Sequence, residues 1–203
     1  MSTPTWIAAA STGLLVAGHL VAEARGAAAL RATSKVGASL AVVLLALARG
    51  GDSSFDRRVL AGLCLSLVGD ALLLSARRPA FLAGLVAFLL AHVAYAAAFA
   101  PRSATPPWVA LPVVAALAVV LRWLWPHLGT MKGPVVAYTL VISAMLYLAL
   151  GVGGPRVPLG ASLFYVSDLF VARDRFVKPG LANRIAGLPV YYAAQLLFAA
   201  AVG

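Results

Sequence analysis

Eight apolar stretches, at about 5–24, 34–48, 59–76, 80–100, 107–125, 133–152, 157–172 and 185–202, take up most of the 203 residues. Charged or Gly/Pro-rich joints such as Arg49-Gly50-Gly51-Asp52 and Gly153-Gly154-Pro155 divide them. A bilayer core takes about 20 apolar residues per helix, and a backbone inside it must satisfy its own hydrogen bonds. The pattern therefore predicts an all-α, polytopic membrane helical bundle of about eight transmembrane helices, one integral-membrane unit over 1–203. A soluble domain holds about 25% charged residues; this chain has 11%, with 63% hydrophobic. The first stretch ends in Ala22-Glu23-Ala24, which mimics a signal cleavage site, but no Lys or Arg precedes it and it has the length of a span.

Sixteen Lys and Arg stand against six Asp and Glu. The bases are scattered among the joints instead of forming a stripe, which argues against nucleic acid and makes them topology signals. Eleven, including Arg31, Lys35, Arg77 and Arg175, fall after spans one, three, five and seven; five fall in the other joints. By the positive-inside rule the first set faces the cytoplasm and both termini face outward. Trp108, Trp123 and Trp125 flank the fifth span as interfacial aromatics do. The Ala-, Arg- and Gly-rich usage is compatible with a high-GC bacterium and hence its inner membrane.

Of the six acids, Glu23 falls at a helix end and Asp52, Asp56 and Asp174 in joints, leaving Asp70 and Asp168 inside spans. An ionisable group there costs about 2.5–3.5 kcal/mol on insertion scales, so it should face the bundle interior and have a task. Counting about 1.5 Å per residue from Ala76 and from Arg173 puts both carboxyls roughly 8–9 Å below the cytoplasmic surface. His19 and Tyr191 come out at a similar depth, with Gln195 a turn deeper; a polar pocket open to the cytoplasmic side follows. His92 and Tyr95 lie beyond mid-membrane in the fourth span. No H-x-x-x-H or H-x-x-E pattern predicts a metal site, and neither Ser66 nor Ser167 sits in a G-x-S-x-G elbow.

The segments around the two aspartates echo one another. In Gly69-Asp70 and Ser167-Asp168 a small residue precedes Asp, and a base, Arg77 or Arg175, follows seven positions on. Spans three and seven share an orientation, which is compatible with a four-plus-four duplication. These residues leave open a hydrolase with two working carboxyls, a proton-coupled transporter or lipid flippase, and a scaffold whose acids pair with Arg.

Longer matches narrow this choice. Ser66-Leu67-Val68-Gly69-Asp70, His92-Val93-Ala94-Tyr95, Pro134 to Tyr138 with Ile142-Ser143, Gly160 to Phe176, and Tyr191 or Tyr192 with Gln195 run in order through spans three to eight. In these pieces the chain resembles the YhhN-type lysoplasmalogenase family of eight-span membrane proteins. The resemblance implies hydrolysis of a lysophospholipid held among membrane lipids: the vinyl ether bond of a lysoplasmalogen is cut to a fatty aldehyde and a glycerophospho-alcohol, with no metal or organic cofactor. Asp70 and Asp168 are the implied catalytic pair.

A vinyl ether is cleaved by protonating its β-carbon, which leaves an oxocarbenium ion that water captures. That needs one carboxyl bearing a proton and one carboxylate, within the 5–9.5 Å or so known for the paired acids of glycoside hydrolysis. The sequence leaves open which aspartate is which. His92, Tyr138, Tyr191, Tyr192 and Gln195 are candidates to orient substrate or water, and Arg77 and Arg175 to meet the phosphate. Lys35 stands where family members place a Lys-Pro pair entering the second span, but Val36 follows it here.

Overall fold

The structure, a computed structural model, describes residues 3–75 and 77–203. Eight α-helices follow one another: α1 (Thr3–Arg25), α2 (Ala28–Arg49), α3 (Ser54–Leu72), α4 (Arg78–Phe99), α5 (Ala110–Leu124), α6 (Lys132–Leu150), α7 (Arg156–Ala172) and α8 (Leu181–Ala199). Among the described residues no β-strand forms. Long runs rich in Ala and Leu favour helix, and the turns are cut by local chemistry. Gly26 and Gly50 take the left-handed backbone that ends α1 and α2 (φ 67° and 69°). Ser53 and Asp56 form a reciprocal capping box that starts α3, and Pro79 sits in the first turn of α4.

The helices α1, α2, α4, α5 and α6 are long and apolar enough to cross a membrane. The other three, α3, α7 and α8, are shorter or more polar. They are also the helices that carry Asp70, Asp168 and Tyr191, so their polarity belongs to the interior they line. Pro189 lies inside α8, which continues through it.

Helix boundaries moved most where Ala and small polar residues precede an apolar run. The second span, expected to start at 34, begins at Ala28, because Ala28-Ala29-Leu30-Arg31-Ala32-Thr33 is good helix despite its low hydropathy. Arg31 and Lys35, read as joint residues, are therefore inside α2. Helix α3 ends at Leu72, earlier than the expected 76, so Asp70 lies in its last turn. The marker used for that depth, Ala76, is outside the described residues.

The echo around the two aspartates has a counterpart in packing. A Cβ on Gly62 of α3 would run into the Tyr95 ring of α4, and one on Gly160 of α7 into the Phe198 ring of α8. Gly84 of α4 approaches the carbonyl of Gly69, and Gly187 of α8 that of Ser167. Gly62 and Gly160 are as far apart in sequence as Asp70 and Asp168; Tyr95 and Phe198 as far apart as Gly84 and Gly187. The pairs α3–α4 and α7–α8 thus repeat one close crossing, and each repeat sets an aspartate one residue past the point of contact.

The start of α1 and the end of α8 lie at one end of the bundle. The Gly203 N–H donates to Asp56 Oδ1 (3.1 Å) and Arg49 Nε to the Val202 carbonyl (2.6 Å), which places the end of α8 at the α2–α3 turn. Helix α1 starts at that same end, since it runs antiparallel to α2 through the short turn at Gly26.

Candidate functional site

At the opposite end lies a cavity of about 430 Å³, a size suited to a small organic ligand. All eight helices contribute, each with the half nearest that end. Its lining includes charged residues, Glu23, Arg31, Lys35, Asp174, Arg175 and Arg184, and apolar ones, among them Leu85, Val120, Val135 and Ile142 from α4, α5 and α6. Asp70 and Asp168 both line it, as do His19 and Tyr191. These four residues, expected at a common level, all border this cavity.

Each aspartate has its own set of partners. Asp70 Oδ1 lies 3.1 Å from Lys35 Nζ, and Oδ2 accepts from Ser39 Oγ (2.7 Å) and Tyr191 OH (2.7 Å). Behind Tyr191 the bonds continue: Gln195 Nε2 donates to the Tyr191 hydroxyl (2.9 Å), and Tyr95 OH donates to Gln195 Oε1 (2.8 Å). Tyr192 donates to the Lys35 carbonyl (3.0 Å) and lies 2.9 Å from Ser39 Oγ. Asp168 Oδ2 accepts from Tyr138 OH (2.7 Å) and faces His92 Nε2 at 3.8 Å.

Among the described residues the two carboxyls share no hydrogen-bond partner. Between their partner sets stand the rings of Phe88 and Phe164: Tyr191 meets both edge-on (5.9 and 5.3 Å between centroids), and His92 meets Phe164 at 4.6 Å. The partners follow the same four-helix offset. Asp70 on α3 is held from α2 and α8; Asp168 on α7 is met from α6 and α4, the helices that correspond. Each half therefore reaches across to the aspartate of the other.

Residues 30–202 match the model of the YhhN family. The lysoplasmalogenase of Mycobacterium tuberculosis (strain CDC 1551 / Oshkosh) is 35% identical to the chain over 219 residues, covering 96% of the chain and 82% of that relative. This chain belongs to the YhhN family. The lysoplasmalogenase TMEM86B of Sus scrofa is 35% identical over 164 residues, covering 81% of the chain and 70% of the relative. The uncharacterized membrane protein YhhN of Escherichia coli O6:H1 is 30% identical over 170 residues, covering 78% and 81%. No solved structure matches the chain. Like its relatives, this YhhN-family protein is an integral membrane protein.

The remaining residues singled out from the sequence divide into three groups. Tyr138 and Arg175 line the cavity with the aspartates; Arg175 lies flat over the Phe81 ring (4.0 Å) and pairs with no carboxylate among the described residues. Tyr192, Gln195 and His92 do not line it and instead support groups that do. Arg77, expected to meet the substrate phosphate, is exposed at the start of α4 and is not part of the cavity wall, because α3 ends at Leu72 and does not carry on to it.

Lys35 required a correction of place. It sits two turns inside α2 of this YhhN-family chain, aimed at Asp70. Ser39, one turn further along the same face, was missed altogether; a polar i, i+4 pair in an otherwise apolar span was the signal for it. Glu23 is at the end of α1 as expected, and there it lies against Arg31 (3.5 Å) and Arg184 and lines the cavity.

The α7–α8 turn beside the cavity is tied down by Asp174. Its carboxylate accepts from Gly180 N (2.7 Å), Asn183 Nδ2 (3.1 Å) and Arg184 Nε (3.3 Å). Partial burial pushes this carboxyl up, but those hydrogen bonds and the Arg184 guanidinium outweigh it and hold it below the ordinary value of 3.8. The turn begins as a π-helical turn, Arg173–Val177, which displays Arg175.

Proposed function

We propose that the chain hydrolyses the vinyl ether bond of lysoplasmalogens, releasing a fatty aldehyde and a glycerophospho-alcohol, in a membrane that all eight helices cross. The observation that supports this most is similarity along nearly the whole chain, 35% identity over 96% of it, to mycobacterial proteins named lysoplasmalogenase. The cavity suits such a substrate. A single-chain lipid has a charged head for Arg31 and Arg175 and an apolar tail for Val120, Val135 and Ile142. Loop charge puts this end of the bundle at the cytoplasmic face.

In this reading the two aspartates divide the work by their neighbours. Asp70, held by an ammonium and two hydroxyls, is the fixed anion that faces the oxocarbenium ion. Asp168 meets a tyrosine hydroxyl and a histidine but no Lys or Arg among the described residues, so it gives up a proton without breaking an ion pair. Asp168 protonates the β-carbon; water adds to the α-carbon and returns a proton to the Asp168 carboxylate; the hemiacetal then collapses to aldehyde and alcohol. Arg175, oriented by Phe81, is the partner of the substrate phosphate.

The test is to incubate purified protein with a lysoplasmalogen and with its saturated ether analogue. Aldehyde from the first alone supports the reading. Transfer of either lipid across a proteoliposome membrane with no aldehyde formed would replace it by the flippase reading.

A further inference from the structure

His92 is fully buried, and its hydrogen bonding is incomplete. Its Nδ1 lies 2.6 Å from the Phe88 carbonyl. A carbonyl only accepts, so Nδ1 carries a proton, and in the neutral ring Nε2 is left as an acceptor. That Nε2 has no hydrogen-bond partner, and what it faces is Asp168 Oδ2 at 3.8 Å. Phe164 and Tyr138 wall the ring at 4.6 and 5.3 Å between centroids, and His92 does not line the cavity, which keeps solvent from satisfying the nitrogen.

Two acceptors aimed at each other repel, and although Asp168 borders the cavity, His92 Nε2 is buried with nothing among the described residues to donate to it. A proton between them reverses the sign, and a buried acceptor requires a donor. Protonating both ring nitrogens instead would put an imidazolium among aromatic rings with no water, a costly burial of charge. His19 provides the contrast. Its Nδ1 is fixed in the same way by the Arg31 carbonyl (2.9 Å), and its Nε2 lies 3.9 Å from Glu23. That Nε2 has the cavity beside it, and Glu23 is already neutralised by Arg31 and Arg184.

We infer that His92 is a positioning residue which shares one proton with Asp168, its Nε2 accepting from the Asp168 carboxyl, so that the resting protein holds Asp168 loaded as an acid. Tyr138 donates to the same carboxyl oxygen and fixes the plane of the group. A half-turn of the carboxyl about its Cβ–Cγ bond, a soft torsion, exchanges the oxygens and turns the proton to the cavity. When Asp168 has given that proton to the substrate carbon, the pair carries one negative charge, and the proton from the attacking water restores it. The last two steps rest on the vinyl ether reading; the shared proton does not.

Infrared difference spectroscopy separates the two. Wild type minus Asp168→Asn should show the carbonyl stretch of one protonated carboxyl, and Asp70→Asn should leave it in place. Lack of that band in wild type means that Asp168 is ionised and overturns the proposal. With lysoplasmalogen, His92→Phe should lower kcat by about 10²-fold at unchanged KM, the scale of acid-base assistance. His92→Gln, whose Oε1 can accept in place of Nε2, should recover at least about tenfold of that loss. Equal kcat in the two variants overturns the proposal. A wild type that shows the band but releases no aldehyde refutes the proposed reaction and upholds the proton pair.

Discussion

Lys35 Nζ stands 3.1 Å from Asp70 Oδ1 across the α2–α3 interface, with 14% and 3% of the two side chains exposed. Removing one member of such a pair strands the other as a buried charge, which costs about 3–5 kcal/mol. Lys35→Met is therefore expected to lower the thermal unfolding midpoint of the detergent-solubilised protein sharply. Lys35→Met with Asp70→Asn should recover most of that midpoint and still release no aldehyde. A double variant as unstable as the single one would refute the pairing argument.

Asp168→Asn keeps an oxygen for the Tyr138 hydroxyl and loses only the acid. We expect a folded protein with a thermal midpoint near wild type and aldehyde release reduced by at least about 10²-fold. Near-normal turnover in this variant would rule out Asp168 as the proton donor.

Arg175 and Arg77 occupy matching places in the sequence echo but not in the fold. Charge-assisted hydrogen bonds contribute about 1.5–3 kcal/mol, so Arg175→Gln should raise KM for lysoplasmalogen roughly ten- to hundredfold and leave kcat close to wild type. Arg77, exposed and off the cavity wall, should tolerate Gln within about twofold in both constants, below the 10-fold that 1.4 kcal/mol represents. Steady-state kinetics in mixed micelles checks the pair.

Gly62→Ala and Gly160→Ala should each destabilise the bundle, because the added methyl meets the Tyr95 or the Phe198 ring. Overpacking of this kind costs about 1–3 kcal/mol. Gly13→Ala, with open space around it, should be silent in the same unfolding measurement.

Asp174 gives the α7–α8 turn a pH dependence of definite sign. Its carboxyl is held below 3.8 in the folded chain, so its contribution is complete above the unfolded value and is lost as pH falls through the folded one. Protease nicking of the 173–180 turn should stay constant from neutral pH down to about 4 and then rise. Asp174→Asn should show raised nicking already at neutral pH.

Much of this was legible in the chain itself. The eight helices follow from apolar length, and the placing of Asp70, Asp168 and Tyr191 on the bundle interior, where they line one cavity, follows from the cost of a charge in lipid; both act locally along the sequence. The echo around the two aspartates was visible as well, though its packing counterpart, Gly62 under Tyr95 and Gly160 under Phe198, needs two helices at once to be seen. Arg31 and Lys35 were misplaced because hydropathy does not register Ala-rich helix that carries charge.

What the sequence by itself determined is therefore the class of fold and the family, since hydropathy and motif are properties of one segment at a time; it also singled out Asp70 and Asp168 as the pair to compare. Only the tertiary structure decided how the acids differ. Asp70 receives an ammonium and two hydroxyls from α2 and α8, while Asp168 receives a tyrosine from α6 and faces a histidine from α4. Two aspartates in segments that echo one another acquire unlike chemistry because the charge state of a carboxyl is set by the groups within a few ångströms. Those groups arrive from helices tens of residues away.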